Sequence, residues 1–347
     1  TFAALINVVD YSEPEISKRA AAITDKMLSM LALHTYKTGI VAPMGRVYRS
    51  VLYPFDQGAM ALMNLINPKL PYTFGEGWLG FYASSHYPIP EGLVKLMEDD
   101  VETNYTTGNA RVYLEKNDDY CLTSVASPRE PFTRWENETL KENVDITTHN
   151  FTKSFNERFH GTTYFRPGTY GYQQHMWYAA LDGEASIFVT HPGSTSEEGD
   201  MRPGYWHGNG VMPALKQQHG LLGGIYVIPD EHPIGYTHLY CPECRFDEVI
   251  NEENWIFLRK ETGYLALWCS EKLEAHNGMN FNCEQRAYSK NAAYLCVCGG
   301  QKSDVSFATF KKRAKETSPS YDKESKTLTA QNFELSYAAC KDVTQFL

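Results

Sequence analysis

Ala110-Arg-Val-Tyr-Leu-Glu-Lys-Asn-Asp-Asp-Tyr-Cys-Leu-Thr-Ser-Val125 is the stretch whose reading decides the fold. Apolar and polar residues alternate over Ala110–Leu114 and again over Tyr120–Val125, and Lys116-Asn117-Asp118-Asp119 between them is turn chemistry. A period of two sends successive side chains to opposite faces, so the pattern predicts an antiparallel β-hairpin. The same signal recurs toward the C-terminus. It predicts strands at Thr162–Arg166, Tyr172–Leu181, Ala185–Thr190, Leu221–Ile228, Thr237–Cys241, Trp255–Lys260, Tyr264–Cys269, Ala292–Cys298, Thr327–Thr329 and Phe333–Ala338. Turn sequences such as Asp182-Gly183-Glu184 and Glu261-Thr262-Gly263 separate them. Many short strands at hairpin spacing predict an antiparallel sandwich. There is no β-α-β alternation and no GxGxxG loop, which argues against a nucleotide-binding fold. The charged stretch Lys311–Lys326 predicts an exposed loop or a short helix.

Toward the N-terminus the period changes. Ser12-Glu13-Pro14-Glu15 matches a capping box with proline in the permissive first turn. Ile16, Ala20, Ile23, Met27, Met30, Leu31 and Leu33 then recur at helical spacing, and the run fades at Lys37-Thr38-Gly39. Further helices are predicted over Asp56–Ile66, closed by Asn67-Pro68, and over Pro90–Glu98. Three short helices with apolar faces make a poor closed domain, so more helices are expected upstream of Thr1, on this chain or on another. The predicted class is α+β, with a helical segment over residues 1–106 and a large antiparallel β-sandwich over 107–347.

The chain has 347 residues, of which 42% are hydrophobic and 21% charged, which excludes global disorder. Its net charge is −10 and it has no lysine or arginine block, which argues against nucleic acid or an anionic membrane as partner. No apolar stretch reaches the roughly 18–20 residues a membrane-spanning helix needs. The 23 tyrosines, 17 phenylalanines and 6 tryptophans suit pleated surfaces and sugar stacking. There is no signal peptide at Thr1, and Thr-Phe-Ala-Ala-Leu-Ile reads as a domain interior, so a mature product or a fragment is expected. Eight cysteines and the acceptor sequons at Asn104, Asn137 and Asn150 together favour a secreted glycoprotein with disulfides. The plainer alternative is a cytosolic protein with free thiols.

Three segments are distinctive: Gly168-Thr-Tyr-Gly-Tyr-Gln-Gln-His-Met-Trp-Tyr-Ala-Ala-Leu181, Phe188-Val-Thr-His-Pro-Gly193 and Arg202-Pro-Gly-Tyr-Trp-His-Gly-Asn209. Gly45-Arg-Val-Tyr48 stands upstream of them. Taken in order, over roughly residues 1–300, they resemble the C-terminal portion of the heparinase II/III-like polysaccharide lyase superfamily. That resemblance implies an incomplete α/α toroid joined to an antiparallel β-sandwich, and activity on uronic-acid glycans. Most of a toroid is absent from this sequence, so the resemblance also implies a further N-terminal segment or chain completing the cleft. A glycoside hydrolase acting on terminal glucuronic acid would look similar.

β-Elimination on a uronic acid needs a base for the C5 proton, an acid for the leaving oxygen, and groups that stabilise the carboxylate as a carbanion develops. His175 is the candidate for proton transfer, with Tyr48 or His86 opposite it. Strand alternation places Gln173 and Trp177 beside His175 on one face and Gln174 on the other. Arg46, Gln173, Gln174, Trp177, His191, Arg202, Tyr205, Trp206 and Asn209 are candidates for binding the sugar, and His160 and Arg166 are lesser candidates for the site. Each has an ordinary alternative as a half-exposed strand position, a strand end or a pinned loop. Glu197, Glu198 and Asp200 could supply paired carboxylates for hydrolysis, or be solvated loop residues. Cys241-Pro-Glu-Cys244 with Cys296-Val-Cys298 lacks two matched zinc knuckles, so disulfides are favoured over zinc. A structural metal held by His191, His207 or His238 stays open, and no cofactor is expected. A non-catalytic extracellular glycan-binding or structural role is the remaining alternative.

Overall fold

The computed structural model describes residues 1–44, 58–72, 78–107, 110–126, 163–164, 171–172, 175–192, 205–206, 211–228, 230, 232, 234–276 and 283–337. Contacts divide the chain into two units. The first holds residues 1–41, 53–100 and the turn 182–184. The second holds 42–52, 101–181 and 185–347.

The first unit is helical. Phe2–Tyr11 and Pro14–His34 form a helical pair, followed by Gly58–Ile66, Trp78–Ser84 and Leu93–Glu98. Pro14 occupies the first helical position as expected, but Ser12 does not cap this helix. Its hydroxyl instead donates to the Val8 carbonyl and closes the preceding helix, which the sequence pattern did not reveal. The long helix stops at His34, short of the expected glycine. Thr35-Tyr36 pairs with Gly39-Ile40 in a tight hairpin whose turn residue Lys37 has φ 48°. The His34 ring donates from Nδ1 to the Val41 carbonyl at 2.8 Å across that hairpin. Ile6, Leu28, Ala32, Ile40, Met60, Met63 and Leu93 are the buried centre of this unit.

The second unit is built from two large antiparallel sheets. One has eight strands, in spatial order Leu273–His276, Glu284–Ala287, Thr237–Tyr240, Ser186–Thr190, Trp177–Ala180, Cys121–Ala126, Ala110–Lys116 and Val101–Thr107. The other has six, in order Ala214–Gln218, Leu221–Val227, Asn291–Gly300, Gly263–Cys269, Trp255–Lys260 and Glu248–Glu252. Leu122, Trp177, Ile187, Val189 and Leu239 of the first share one buried cluster with Leu222, Ile256, Leu265, Leu267 and Tyr294 of the second. The predicted hairpin forms, with Lys116 opposite Cys121 and Val112 opposite Val125. Val101–Thr107, read as helical-segment sequence, pairs with Ala110–Lys116 instead.

The six-stranded sheet is covered on both sides. The helix Phe307–Glu316 and the small sheet Ser320–Asp322, Thr327–Ala330, Phe333–Ser336 pack Phe310, Ala314, Leu328 and Phe333 against Phe257, Tyr264, Ala266 and Val297. Burial on both faces explains why Gly263-Tyr-Leu-Ala-Leu-Trp-Cys269 is continuously apolar rather than alternating. Gly223 is needed here, since a Cβ would sit 2.6 Å from the Phe333 ring. The seven described cysteines carry free thiols, and Cys121, Cys241, Cys269, Cys296 and Cys298 are buried, behaving as small hydrophobes. No disulfide joins described cysteines, unlike the favoured reading of the sequence; Cys340 lies outside the described residues.

Leu265 is fully buried between the sheets. Leu265→Ala is expected to cost roughly 2–5 kcal/mol through lost transfer energy and a cavity, measured by denaturant unfolding. A cost below about 1 kcal/mol would mean that the two sheets do not share this core.

Candidate functional site

The two faces of the eight-stranded sheet differ in chemistry. Trp177, Ala179, Ile187, Val189, Leu239 and Ala287 point into the core between the sheets. The alternate positions carry Tyr178, Phe188, Thr190, His238, Tyr240, Glu284 and Arg286 on the opposite face. The ladder sets His238 between Thr190 and Arg286, and Tyr240 between Phe188 and Glu284. Phe188 and Tyr240 stack, with centroids 4.9 Å apart.

Tyr205 and Trp206 lie against this face. The Trp206 indole stacks on the His238 imidazole at 4.0 Å with planes 7° apart, and the Tyr205 ring meets the same imidazole edge-on at 4.8 Å. Tyr205 and Trp206 are both buried. They are bound to the sheet through charge. The Tyr205 hydroxyl donates to Glu284 Oε1 and accepts from Arg286 Nε at 3.0 Å and Nη2 at 2.6 Å. Glu284 Oε1 also accepts from Arg286 Nε at 2.7 Å and from His238 Nδ1 at 3.2 Å.

The protonation of this group follows from its geometry. Burial opposes charge on Glu284, but hydrogen bonds from His238, Tyr205 and Arg286 outweigh it and hold the carboxyl down at about 2. Burial, reinforced by Glu284, pushes the Tyr205 phenol far up, so it stays protonated. Burial lowers His238 although Glu284 pulls the other way, so the ring is neutral with its proton on Nδ1. Among the described residues, its buried Nε2 meets no hydrogen-bond partner, nor does the hydroxyl of Thr190 across the ladder.

His175 reaches the same face. Its backbone forms an isolated bridge with Met44, and its ring is 0% exposed. Nε2 lies 2.6 Å from the Trp206 carbonyl, which only accepts, so Nε2 carries the proton. Nδ1 then accepts from the Tyr178 hydroxyl at 2.6 Å. The ring also lies 4.3 Å from Phe188. The structure therefore gathers His175, Tyr205 and Trp206 from the sequence candidates.

Other candidates lie elsewhere. Trp177 does not share a face with His175. No strand includes Met176, the regular alternation breaks there, and Trp177 fills the core between the sheets. His191 is buried, donates from Nε2 to the Ile234 carbonyl at 3.0 Å and meets His232 edge-to-face at 4.5 Å. Burial, then His232, holds it well below the ordinary histidine value. His86 belongs to the helical unit, and its side chain is 96% exposed. Asn104 is exposed on Val101–Thr107, where its carbonyl accepts from Arg111 Nε at 3.1 Å and Nη2 at 2.9 Å. Arg46, Tyr48, Gln173, Gln174, Arg202, Asn209, Asn137, Asn150, His160, Arg166, His207, Glu197, Glu198 and Asp200 lie outside the described residues.

Among the described residues, no group of three or more His, Cys, Asp or Glu side chains is arranged to hold a metal ion. No helix among them is long and apolar enough to cross a membrane. Glu284 and Arg286 did not emerge from the sequence, and His238 only as a metal ligand. Glu284-Gln-Arg-Ala287 is too polar and short to read as a strand. The available signal was two opposite charges at a spacing of two, which strand geometry would place side by side. The chain matches no protein-family model, and a search of curated proteins returned no match.

The buried neutral histidines give a pH dependence. His191 and His238 have lowered values in the folded chain, so between those values and about 6.5 the unfolded chain binds more protons. Stability is therefore expected to fall as pH drops from about 7 to 5, by at most about 1.4 kcal/mol per pH unit for each histidine. Glu284 adds a further loss as pH falls from the ordinary carboxylate value toward about 2. Melting temperature measured across this range checks it, with a shallower slope expected for His238→Gln. A profile flat down to pH 5 would contradict the neutral assignment.

Proposed function

We propose that this chain is the C-terminal part of a secreted, polysaccharide-active enzyme of the heparinase II/III-like type, which breaks uronic-acid glycans by β-elimination. In this reading the helical unit is the end of an α/α toroid. The observation that carries the reading is the docking of Tyr205 and Trp206, two of the sugar-binding candidates, on a sheet face where Arg286 Nη2 is 2.6 Å from the Tyr205 hydroxyl. A guanidinium, a phenol held protonated and stacked aromatics are the side chains an acidic sugar requires.

The reaction removes the proton at C5, breaks the C4–O bond and protonates the departing oxygen, leaving a C4–C5 double bond. Tyr205, whose hydroxyl proton goes to Glu284 and which accepts from Arg286, suits holding the sugar, and the donor's part stays with the sequence candidates Tyr48 and His86. His175 suits the base's part through Nδ1, the nitrogen that the Nε2–Trp206 bond leaves without a proton; the Tyr178 hydroxyl must release it first. A second reading, a glycan-binding protein without catalysis, is favoured by one observation: His175 is fully buried with both ring nitrogens engaged.

The test is incubation of the purified protein with a panel of uronic-acid polysaccharides while following the ultraviolet absorbance of the unsaturated product. The expected result is a rise that His175→Ala reduces about 100-fold or more, with the variant's circular dichroism unchanged. New reducing ends without absorbance would replace the lyase by a hydrolase releasing glucuronic acid. Binding with neither signal would leave the non-catalytic reading.

A further inference from the structure

The acceptor sequon Asn104-Tyr105-Thr106 lies on the strand Val101–Thr107, apart from the candidate site. A period of two puts Asn104 and Thr106 on one face of that strand, and both are exposed. The ladders identify the face. Asn104 pairs with Tyr113, Tyr113 with Ser124 and Ser124 with Trp177, and directly paired residues point to the same side of a sheet. Trp177 fills the core between the sheets, and the Ser124 hydroxyl donates to Gln217 of the second sheet at 2.7 Å. Burial falls along this row: Trp177 is 1% exposed and Ser124 2%, Tyr113 is half-buried and Asn104 stands in solvent. Tyr178, Phe188, His238 and Glu284 are on the other face. Asn104 therefore points away from the candidate site.

The Asn104 amide is held by its oxygen alone. Oδ1 accepts from Arg111 Nε at 3.1 Å and from Nη2 at 2.9 Å, so a planar guanidinium grips one carbonyl through two donors. Arg111 is braced in turn, with its guanidinium carbon 5.3 Å from the centroid of the Tyr113 ring. Among the described residues, no hydrogen bond engages Asn104 Nδ2. N-glycosylation of the sequon uses that nitrogen and leaves the amide oxygen an acceptor. The Arg111 fork and a sugar on Nδ2 therefore do not compete for the same atom.

We infer that Asn104 carries an N-linked glycan whose linkage amide is clamped by Arg111 and whose sugars extend into solvent on the face of the sheet remote from the candidate site. The inference rests on the secreted reading above and goes beyond it in placing one modified residue and its clamp. In the transfer, Asn104 Nδ2 attacks C1 of an oligosaccharide carried on a lipid diphosphate. The N–C1 bond forms and the C1–O bond to the diphosphate breaks. The proton lost by the amide nitrogen balances the charge on the released lipid diphosphate. The Thr106 hydroxyl completes the acceptor signal. The modification adds bulk only where the side chain is already in solvent, so the core row at Ser124 and Trp177 is undisturbed.

The experiment is expression of the full chain through the secretory route of a eukaryotic cell, with glycopeptide mass spectrometry before and after peptide N-glycosidase. The proteins are wild type, Asn104→Gln, Thr106→Ala, Thr106→Ser and Arg111→Ala, and melting temperatures establish that each is folded. Expected are a glycan on Asn104 in the majority of wild-type molecules, its complete loss in Asn104→Gln and Thr106→Ala, and its retention in Thr106→Ser. Release of the Asn104 glycan from the native protein is expected to be severalfold faster in Arg111→Ala than in wild type, because the clamp is gone. Equal rates would overturn the clamp. Secreted, folded wild type with a bare Asn104 would overturn the site and leave the secreted reading standing. A chain that folds when made in the cytosol but is retained and degraded in the secretory route, without any glycan, would overturn both.

Discussion

The site depends on one buried carboxylate. Glu284 is 4% exposed, and Oε1 accepts from Tyr205, His238 and Arg286. A lone charge at that depth costs several kcal/mol, and removing one partner of a buried pair typically costs about 3–5 kcal/mol. Arg286 is thereby obliged to stay against Glu284, and the phenol of Tyr205 to stay between them. Trp206, the next residue, is carried onto His238. Its carbonyl in turn fixes the proton of His175 on Nε2. A chain of contacts runs from the carboxylate to the histidine, through hydrogen bonds at Arg286 and Tyr205, ring stacking at Trp206 and the Trp206 carbonyl.

Strand register makes that chain possible. Adjacent antiparallel strands bring directly opposed residues within about 5 Å of one another, so His238 is set beside Arg286 and Tyr240 beside Glu284 without any loop having to be ordered. The opposite face of the same strands supplies Leu239 and Ala287 to the core. A slip of one residue would exchange the two sets, placing Glu284 and Arg286 in the apolar core and exposing Leu239. Core and site therefore enforce the same register.

The α+β class, and the strand pattern behind it, were legible because alternation and turn chemistry are local signals: Trp255–Lys260 appears with the bounds its pattern predicts. Polar strands were not legible. Glu248–Glu252, Leu273–His276 and Glu284–Ala287 form because neighbours offer them backbone partners, not because of their own composition. Tyr205, Trp206 and His175 stood out by residue type, whereas Glu284 and Arg286, which hold Tyr205, are ordinary charged residues until the ladder pairs them. Trp177 was misassigned for a physical reason. The alternation was carried through Met176, where the strand is interrupted. At Ser12 the expected cap did not form: the hydroxyl donates to the Val8 carbonyl of the helix before instead of accepting from the N–H groups of the helix after.

The depth of these groups divides their roles. Glu284, His238 and Tyr205 are enclosed, and their protons have one low-energy arrangement: phenol and Nδ1 protonated, carboxylate bare, guanidinium charged. Adding a proton to His238 would leave a net positive charge in a buried space already balanced by Arg286, which is why burial lowers the ring despite the adjacent carboxylate. A network with a single protonation state is rigid, and rigidity holds Tyr205 and Trp206 in one position on the sheet.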